Sequence, residues 1–190
     1  MAHRWPALPN DAAMIDLPME DFRGRVLLSR ERVRFADADP YGHLASGRYV
    51  DMIMSHRVEA LDDLLGFSIM HSAGSGVAFP ARKIEIAYLR PAFVGDALEL
   101  GSWIEEIGGS SFEVRVMVVG NSDRVVRALA TIHFVTVDAR SGKAVPVPAS
   151  LPSSATSNQL PQQPLLASYL STVTGLPERW SSKHAATPQS

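Results

Sequence analysis

The chain has 190 residues, 46% of them hydrophobic and 20% charged, with a formal net charge of −2 at pH 7. Acids and bases are interspersed, so the sequence carries neither the basic stripe of a nucleic-acid surface nor the Lys/Arg cluster that meets an anionic membrane. There is no cysteine, which excludes disulfides, thiolate zinc sites and a cysteine nucleophile.

Residues 1–22 hold several prolines and no sustained period. They read as an N-terminal arm with one short helical turn. The start of the chain lacks the apolar core of a secretory signal. No apolar stretch is long enough to span a bilayer, and a cytoplasmic location is the expectation. From Gly24 to Phe35 the sequence is strand-like: Val33 and Phe35 alternate with Arg32 and Arg34. Pro40 and Gly42 then stop the ladder in a turn cluster.

The next segment, roughly Gly47 to Leu65, predicts a helix. Val50, Ile53, Met54, Val58, Leu61, Leu64 and Leu65 recur at three- and four-residue steps, and Gly66 stands where a C-terminal stop belongs. Such a helix is about 27 Å long, enough to cross five strands spanning about 24 Å. From Ala81 onward strand follows strand. Ile84, Ile86 and Tyr88 share one face; Leu98, Leu100 and Ile104 alternate with Glu99, Trp103 and Glu105; Phe112, Val114, Val116 and Val118 alternate with Glu113 and Arg115. Turns fall at Gly108-Gly109-Ser110 and Gly120–Asp123. Val125 to Val137 carries β-branched residues on both faces, the pattern of a central strand. Ala149 to Pro164 is a linker by composition. Leu165, Leu166, Tyr169, Leu170 and Val173 suit a short amphipathic helix, and residues 177–190 read as disordered. The division expected is an arm (1–22), one domain (23–150), and a linker with a partly disordered tail (151–190). One helix among runs of strands indicates α+β, with the helix covering one face of an antiparallel sheet.

The chemistry concentrates in Asp37-Ala-Asp39-Pro-Tyr-Gly42-His43, between a strand end and a helix start. The first N–H groups of a helix lack internal partners and carry a partial positive charge, so they can stabilise an oxyanion beside a carboxylate. A capped turn is the plain reading, because Asp-Pro and Tyr-Gly are ordinary turn chemistry. A calcium loop starting at Asp37 would need ligands where Tyr41 and Arg48 stand. A metal site of Asp37, Asp39, His43 and a distant ligand stays open at this point. The Asp-x-Asp phosphatases of the haloacid dehalogenase type need an apolar parallel strand and α/β alternation, which this chain lacks.

The run Arg34-Phe-Ala-Asp-Ala-Asp-Pro-Tyr-Gly-His-Leu-Ala-Ser-Gly-Arg-Tyr49 resembles the signature of the 4-hydroxybenzoyl-CoA thioesterase family. Tyr88-Leu-Arg-Pro91 with Gly95-Asp96, and the close from Asp138 to Pro148, resemble the same family in order and spacing. The resemblance covers about residues 23–150. It implies a hotdog fold, a long helix packed on a five-stranded antiparallel sheet, and hydrolysis of acyl-CoA or acyl-carrier-protein thioesters. It implies Asp39 as general base or nucleophile, Gly42 for close approach, and the Ser46 N–H facing the thioester carbonyl. His43, in the turn, reads either as orienting Asp39 or a water or as a hydrogen-bonded turn histidine. Asp37 is then structural. Tyr49, Arg82, Lys83 and Arg90 become substrate-binding candidates, the three cations toward coenzyme A phosphates. His71 falls near the substrate entrance, while His56 and His133 read as structural. No cofactor and no metal is expected, and a homodimer or a dimer of dimers is the implied assembly. Positions 45 and 46 depart from the family, which often has Asn at the first and Asn, His or an aromatic at the second; this chain has Ala45 and Ser46.

One carboxylate suffices for such a reaction. A thiolate whose conjugate acid has a pKa of about 8.5 leaves without strong acid assistance, and one oxyanion donor contributes about 2.7–4 kcal/mol in the transition state. The rival reading is a non-catalytic acyl-CoA sensor on the same fold.

Overall fold

The computed structural model describes residues 15–18, 24–65, 76–153 and 163–181. In chain order these form β1 (Ile15–Pro18), β2 (Leu27–Arg32), α1 (Ser46–Leu65), β3 (Val77–Ala78), β4 (Ala81–Tyr88), β5 (Ala97–Ile107), β6 (Ser111–Gly120), β7 (Val126–Val135), β8 (Val137–Asp138), β9 (Ser150–Ser153), α2 (Leu166–Leu170) and α3 (Glu178–Ser181). Five strands make one antiparallel sheet in the order β2-β5-β6-β7-β4. The expected α+β class, with a helix on a five-stranded antiparallel sheet, is therefore what the chain forms. β7 is an interior strand as its composition predicted, but the middle place belongs to β6.

Alternation decides the two faces. Leu98 and Leu100 of β5, Val114, Val116 and Val118 of β6, and Ala128, Ala130, Ile132 and Phe134 of β7 point inward. They form one buried cluster with Tyr49, Met52 and Ile53 of α1. Each Val, Leu, Ile, Phe or Met among them contributes about 1.5–3 kcal/mol by leaving water, and the two alanines less. In its described part the helix buries a face shifted from the predicted apolar stripe, with Ile53 common to both. Tyr49, Met52, Ile53, His56 and Arg57 are the buried positions, whereas Val50, Met54 and Val58 are half-buried. A stripe read from apolar residues alone misses two polar ones at the same helical spacing. Burial pulls the Arg57 guanidinium down to about 10. His56 is held at both ring nitrogens, 2.7 Å from Ser29 Oγ and 2.9 Å from Ser102 Oγ, so its structural reading stands. Leu61, Leu64, Leu65, Gly66 and His71 lie outside the described side chains.

The opposite face of the sheet is covered by the C-terminal segment. Leu166, Tyr169 and Trp180 bury Trp103, Met117, Val119 and Leu129. Backbone bonds fasten this strap at two places: Leu166 N–H to Gly24 C=O (2.7 Å) and Val126 N–H to Thr174 C=O (3.0 Å). The Arg115 guanidinium lies 4.5 Å from the Trp180 ring centroid. Gly101 is required beneath it, because a Cβ there would fall 2.8 Å from the Tyr169 hydroxyl oxygen. Arg124 holds a left-handed φ of +56°, a conformation costly outside glycine. Its guanidinium donates to Glu99 (2.7 Å) and Thr172 (3.1 Å), which ties the turn to the strap.

Several expectations are corrected here. Ile15–Pro18 is a strand paired with Ser150–Ser153, so neither the helical turn nor an unstructured linker holds at those residues. Phe35 does not continue the buried alternation. The strand ends at Arg32, a 3-10 turn over Phe35–Asp37 follows, and Phe35 is 86% exposed. The helix expected near Leu165 is α2, but Glu178–Ser181 form α3 where disorder was expected, and Trp180 there is buried. Because the strap lies on the face opposite α1, Trp180→Ala should cost about 3 kcal/mol of stability and leave turnover unchanged. Urea unfolding and steady-state kinetics of that variant check both halves.

Candidate active site

Asp37 is fixed first. Its buried carboxylate accepts the Arg34 backbone N–H (3.0 Å), Arg34 Nε (3.0 Å) and Arg48 Nε (2.9 Å). The Arg34 side chain, then its backbone N–H, and Arg48 hold this carboxyl at about 2. Arg48 stands in the first turn of α1, and the Asp37 carbonyl accepts the Ala45 N–H at 3.0 Å. Asp37 therefore ties the turn to the helix start, the structural part expected of it. With its oxygens taken by two arginines, it is no metal ligand. Among the described residues, no three His, Asp or Glu side chains are grouped to hold a metal ion.

Asp39 sits differently. Its Oδ1 accepts the N–H groups of Tyr41 and His43, both at 2.9 Å. Its Oδ2 lies 4.0 Å from His43 Nδ1, and the side chain is 30% exposed. The backbone closes around it, with Asp39 N–H to His43 C=O at 2.7 Å and Gly42 N–H to Asp39 C=O at 3.0 Å. Gly42 has φ +79°, which glycine adopts freely. The connection between β4 and β5 braces the loop. Leu44 N–H donates to Ala92 C=O at 2.8 Å, and the His43 ring meets Phe93 edge-on at 5.0 Å. One oxygen of Asp39 thus holds the loop, and the other, among the described residues, has only His43 beside it, at 4.0 Å.

α1 begins at Ser46, directly after Ala45. An alanine before a helix has no side-chain oxygen to cap it. Among the described residues, the N–H groups of Ser46 and Gly47 meet no acceptor. The departure at Ala45-Ser46 thus leaves the backbone donors open. The Tyr88 hydroxyl, from the end of β4, donates to the Ser46 carbonyl at 3.1 Å.

The structure places Asp39, Gly42 and His43 on one loop and Ser46 at the helix start that follows it. It places Tyr49 one helical turn on, buried and edge-on to Tyr88 at 5.3 Å. The three cations are not gathered with them. Lys83 projects from the sheet face opposite α1 and pairs with Glu85 at 2.9 Å. Arg82 sits at a break in the β4–β7 register. Arg90 is exposed beyond β4 and donates to the Leu89 carbonyl at 3.0 Å. His133 shares the Lys83 face, 3.6 Å from Glu113. Tyr88 was not expected beside the helix start. Its place on the inner face was readable, but its reach to the helix start depends on how α1 lies across the sheet.

A long helix laid across this five-stranded sheet, with an acid-bearing turn at the helix start, is the hotdog architecture, which the chain shares with solved thioesterase structures. The chain belongs to the thioesterase-like superfamily, which it matches over residues 33–154. It is 29% identical over 114 residues to the long-chain acyl-CoA thioesterase FadM of Escherichia coli (strain K12), covering 60% of this chain and 85% of that one. Among solved structures it resembles YbaW, described as a probable thioesterase from Escherichia coli, with a TM-score of 0.58 and 27% identity over 63% of this chain and 89% of that one. A 1,4-dihydroxy-2-naphthoyl-CoA thioesterase from Synechocystis shares the fold, with a TM-score of 0.59 and 21% identity over 65% and 90% of the two chains. The enzyme class expected from the sequence, thioester hydrolase, agrees with these relatives. Among the described residues no helix is long and apolar enough to cross a membrane.

Proposed function

We propose that this protein hydrolyses acyl-CoA thioesters, with Asp39 as general base and the open N-terminus of α1 as the oxyanion site. The observation that carries the reading is the division of labour at Asp39: Oδ1 is engaged by two backbone N–H groups, while Oδ2, among the described residues, has only His43 near it, at 4.0 Å. In the proposed step, Oδ2 takes a proton from water as the water oxygen bonds to the thioester carbon. Charge collects on the former carbonyl oxygen, facing the Ser46 N–H. Collapse of this intermediate breaks the C–S bond, and the thiolate takes up the proton held on Asp39, which restores the base. The products are a carboxylic acid and a thiol. His43 orients the water or Asp39. The likeness to FadM supports coenzyme A as the carrier and a long acyl chain.

The unit that works is a homodimer. β4 has no neighbour on its outer side among the described residues. Phe35, Tyr41, Tyr88 and Phe93 stand exposed around the loop, an aromatic rim suited to a second copy or to substrate. Residues 23–150 form the catalytic domain, with the C-terminal segment as its outer cover. Thiol release over a panel of acyl-CoAs and acyl-carrier proteins tests the function. Turnover is expected with acyl-CoA, rising with chain length. Tight acyl-CoA binding without release would replace the enzyme reading by the sensor.

A further inference from the structure

We infer that Tyr88 is a positioning residue for the oxyanion site, acting through the Ser46–Gly47 peptide; this rests on the reading of the α1 N-terminus given above. Tyr88 is the last residue of β4 and is half exposed. Its ring stands edge-on to the buried Tyr49, 5.3 Å between centroids, and its hydroxyl donates to the Ser46 carbonyl at 3.1 Å. That carbonyl belongs to the peptide whose N–H is Gly47, and this N–H has no acceptor among the described residues. A hydrogen bond to one end of an amide polarises the other end, by about 10–30% of a bond's strength in condensed phase. The hydroxyl thus does two things. It fixes the plane of the first peptide in the helix, and it strengthens the Gly47 N–H as a second donor beside Ser46. Donors fixed before the reaction are worth most where charge develops. Tyr49 and Tyr88 form an edge-on pair that runs from the core to the helix start, so the core sets the donor's direction.

Tyr88→Phe isolates the hydroxyl, because the ring and its contact with Tyr49 remain. The expected result is a fall in kcat of about threefold to tenfold with KM within about twofold, the mark of an interaction made in the transition state. The unfolding midpoint should stay within about 2 °C. A second readout is the infrared frequency of a 13C-labelled carbonyl in a bound, non-hydrolysable ketone analogue of acyl-CoA. In the variant this frequency should move back toward its value in water. A rise in KM at constant kcat would make Tyr88 a direct substrate contact and overturn the proposal. Unchanged kinetics and carbonyl frequency would overturn it too. Asp39→Asn, measured alongside, separates the two levels: if that variant stays active the site reading itself fails, whereas an inactive Asp39→Asn beside a fully active Tyr88→Phe defeats only the role of Tyr88.

Discussion

Asp39→Asn is expected to lower kcat by about 10²- to 10⁴-fold, the usual cost of removing a general base, while leaving the fold intact. The structure makes this substitution cleaner than truncation. Asn retains an oxygen at the place of Oδ1, so the N–H groups of Tyr41 and His43, each 2.9 Å away, keep their acceptor. The loop should hold its shape. What changes is the second oxygen, replaced by an amide that donates where a base must accept. Asp39→Ala would remove both functions and confuse them. Thiol release under saturating acyl-CoA, with circular dichroism and sedimentation as controls, measures the effect. Turnover within tenfold of the parent would refute the assignment. A single turnover in 18O water tests the finer step: with Asp39 as base the label enters only the product acid, and its appearance in Asp39 would make the residue a nucleophile instead.

The sheet and the site loop were legible for the same reason: both are encoded locally. Period-two alternation in residues 81–135 states which side chains share a face, and the paired strands confirm Ile84, Ile86 and Tyr88 against Ile132, Ala130 and Ala128. The Asp-x-Asp turn was legible because Gly42 and Pro40 can stop a strand and little else suits them there. What escaped depends on where elements lie relative to one another. Nothing local says that His56 and Arg57 turn inward, because the serines that receive them stand on β2 and β5. The strap was only half legible: Leu166 and Tyr169 stand at helical spacing and α2 follows from it, but Trp180 lies well beyond that period, and nothing local says that the segment covers the outer face of the sheet. Gly101 is a further trace, a glycine inside a strand where a ring must approach.

Stability is expected to fall in mild acid through His56. Burial, then the nearby charge of Arg57, pushes its imidazole down from the ordinary value to about 3. The unfolded chain takes up this proton as pH falls through about 6.5, whereas the folded chain refuses it until about 3. Over that window the unfolded state binds more protons, so stability falls as pH falls. The contribution is complete above about pH 6.5, and about 2 kcal/mol of it is gone by pH 5. Asp37 acts lower: its lowered carboxyl stabilises the fold above its unfolded range and loses that effect only as pH falls toward about 2. The two groups therefore separate by pH. His56→Gln should flatten the slope between pH 7 and 5, since an amide can bridge the Ser29 and Ser102 hydroxyls without ionising. Urea unfolding at fixed protein concentration across that range measures it. The absolute stability of the variant is immaterial, because the readout is the slope. An equal loss between pH 7 and 5 in the parent and in His56→Gln would mean that the proton responsible binds elsewhere.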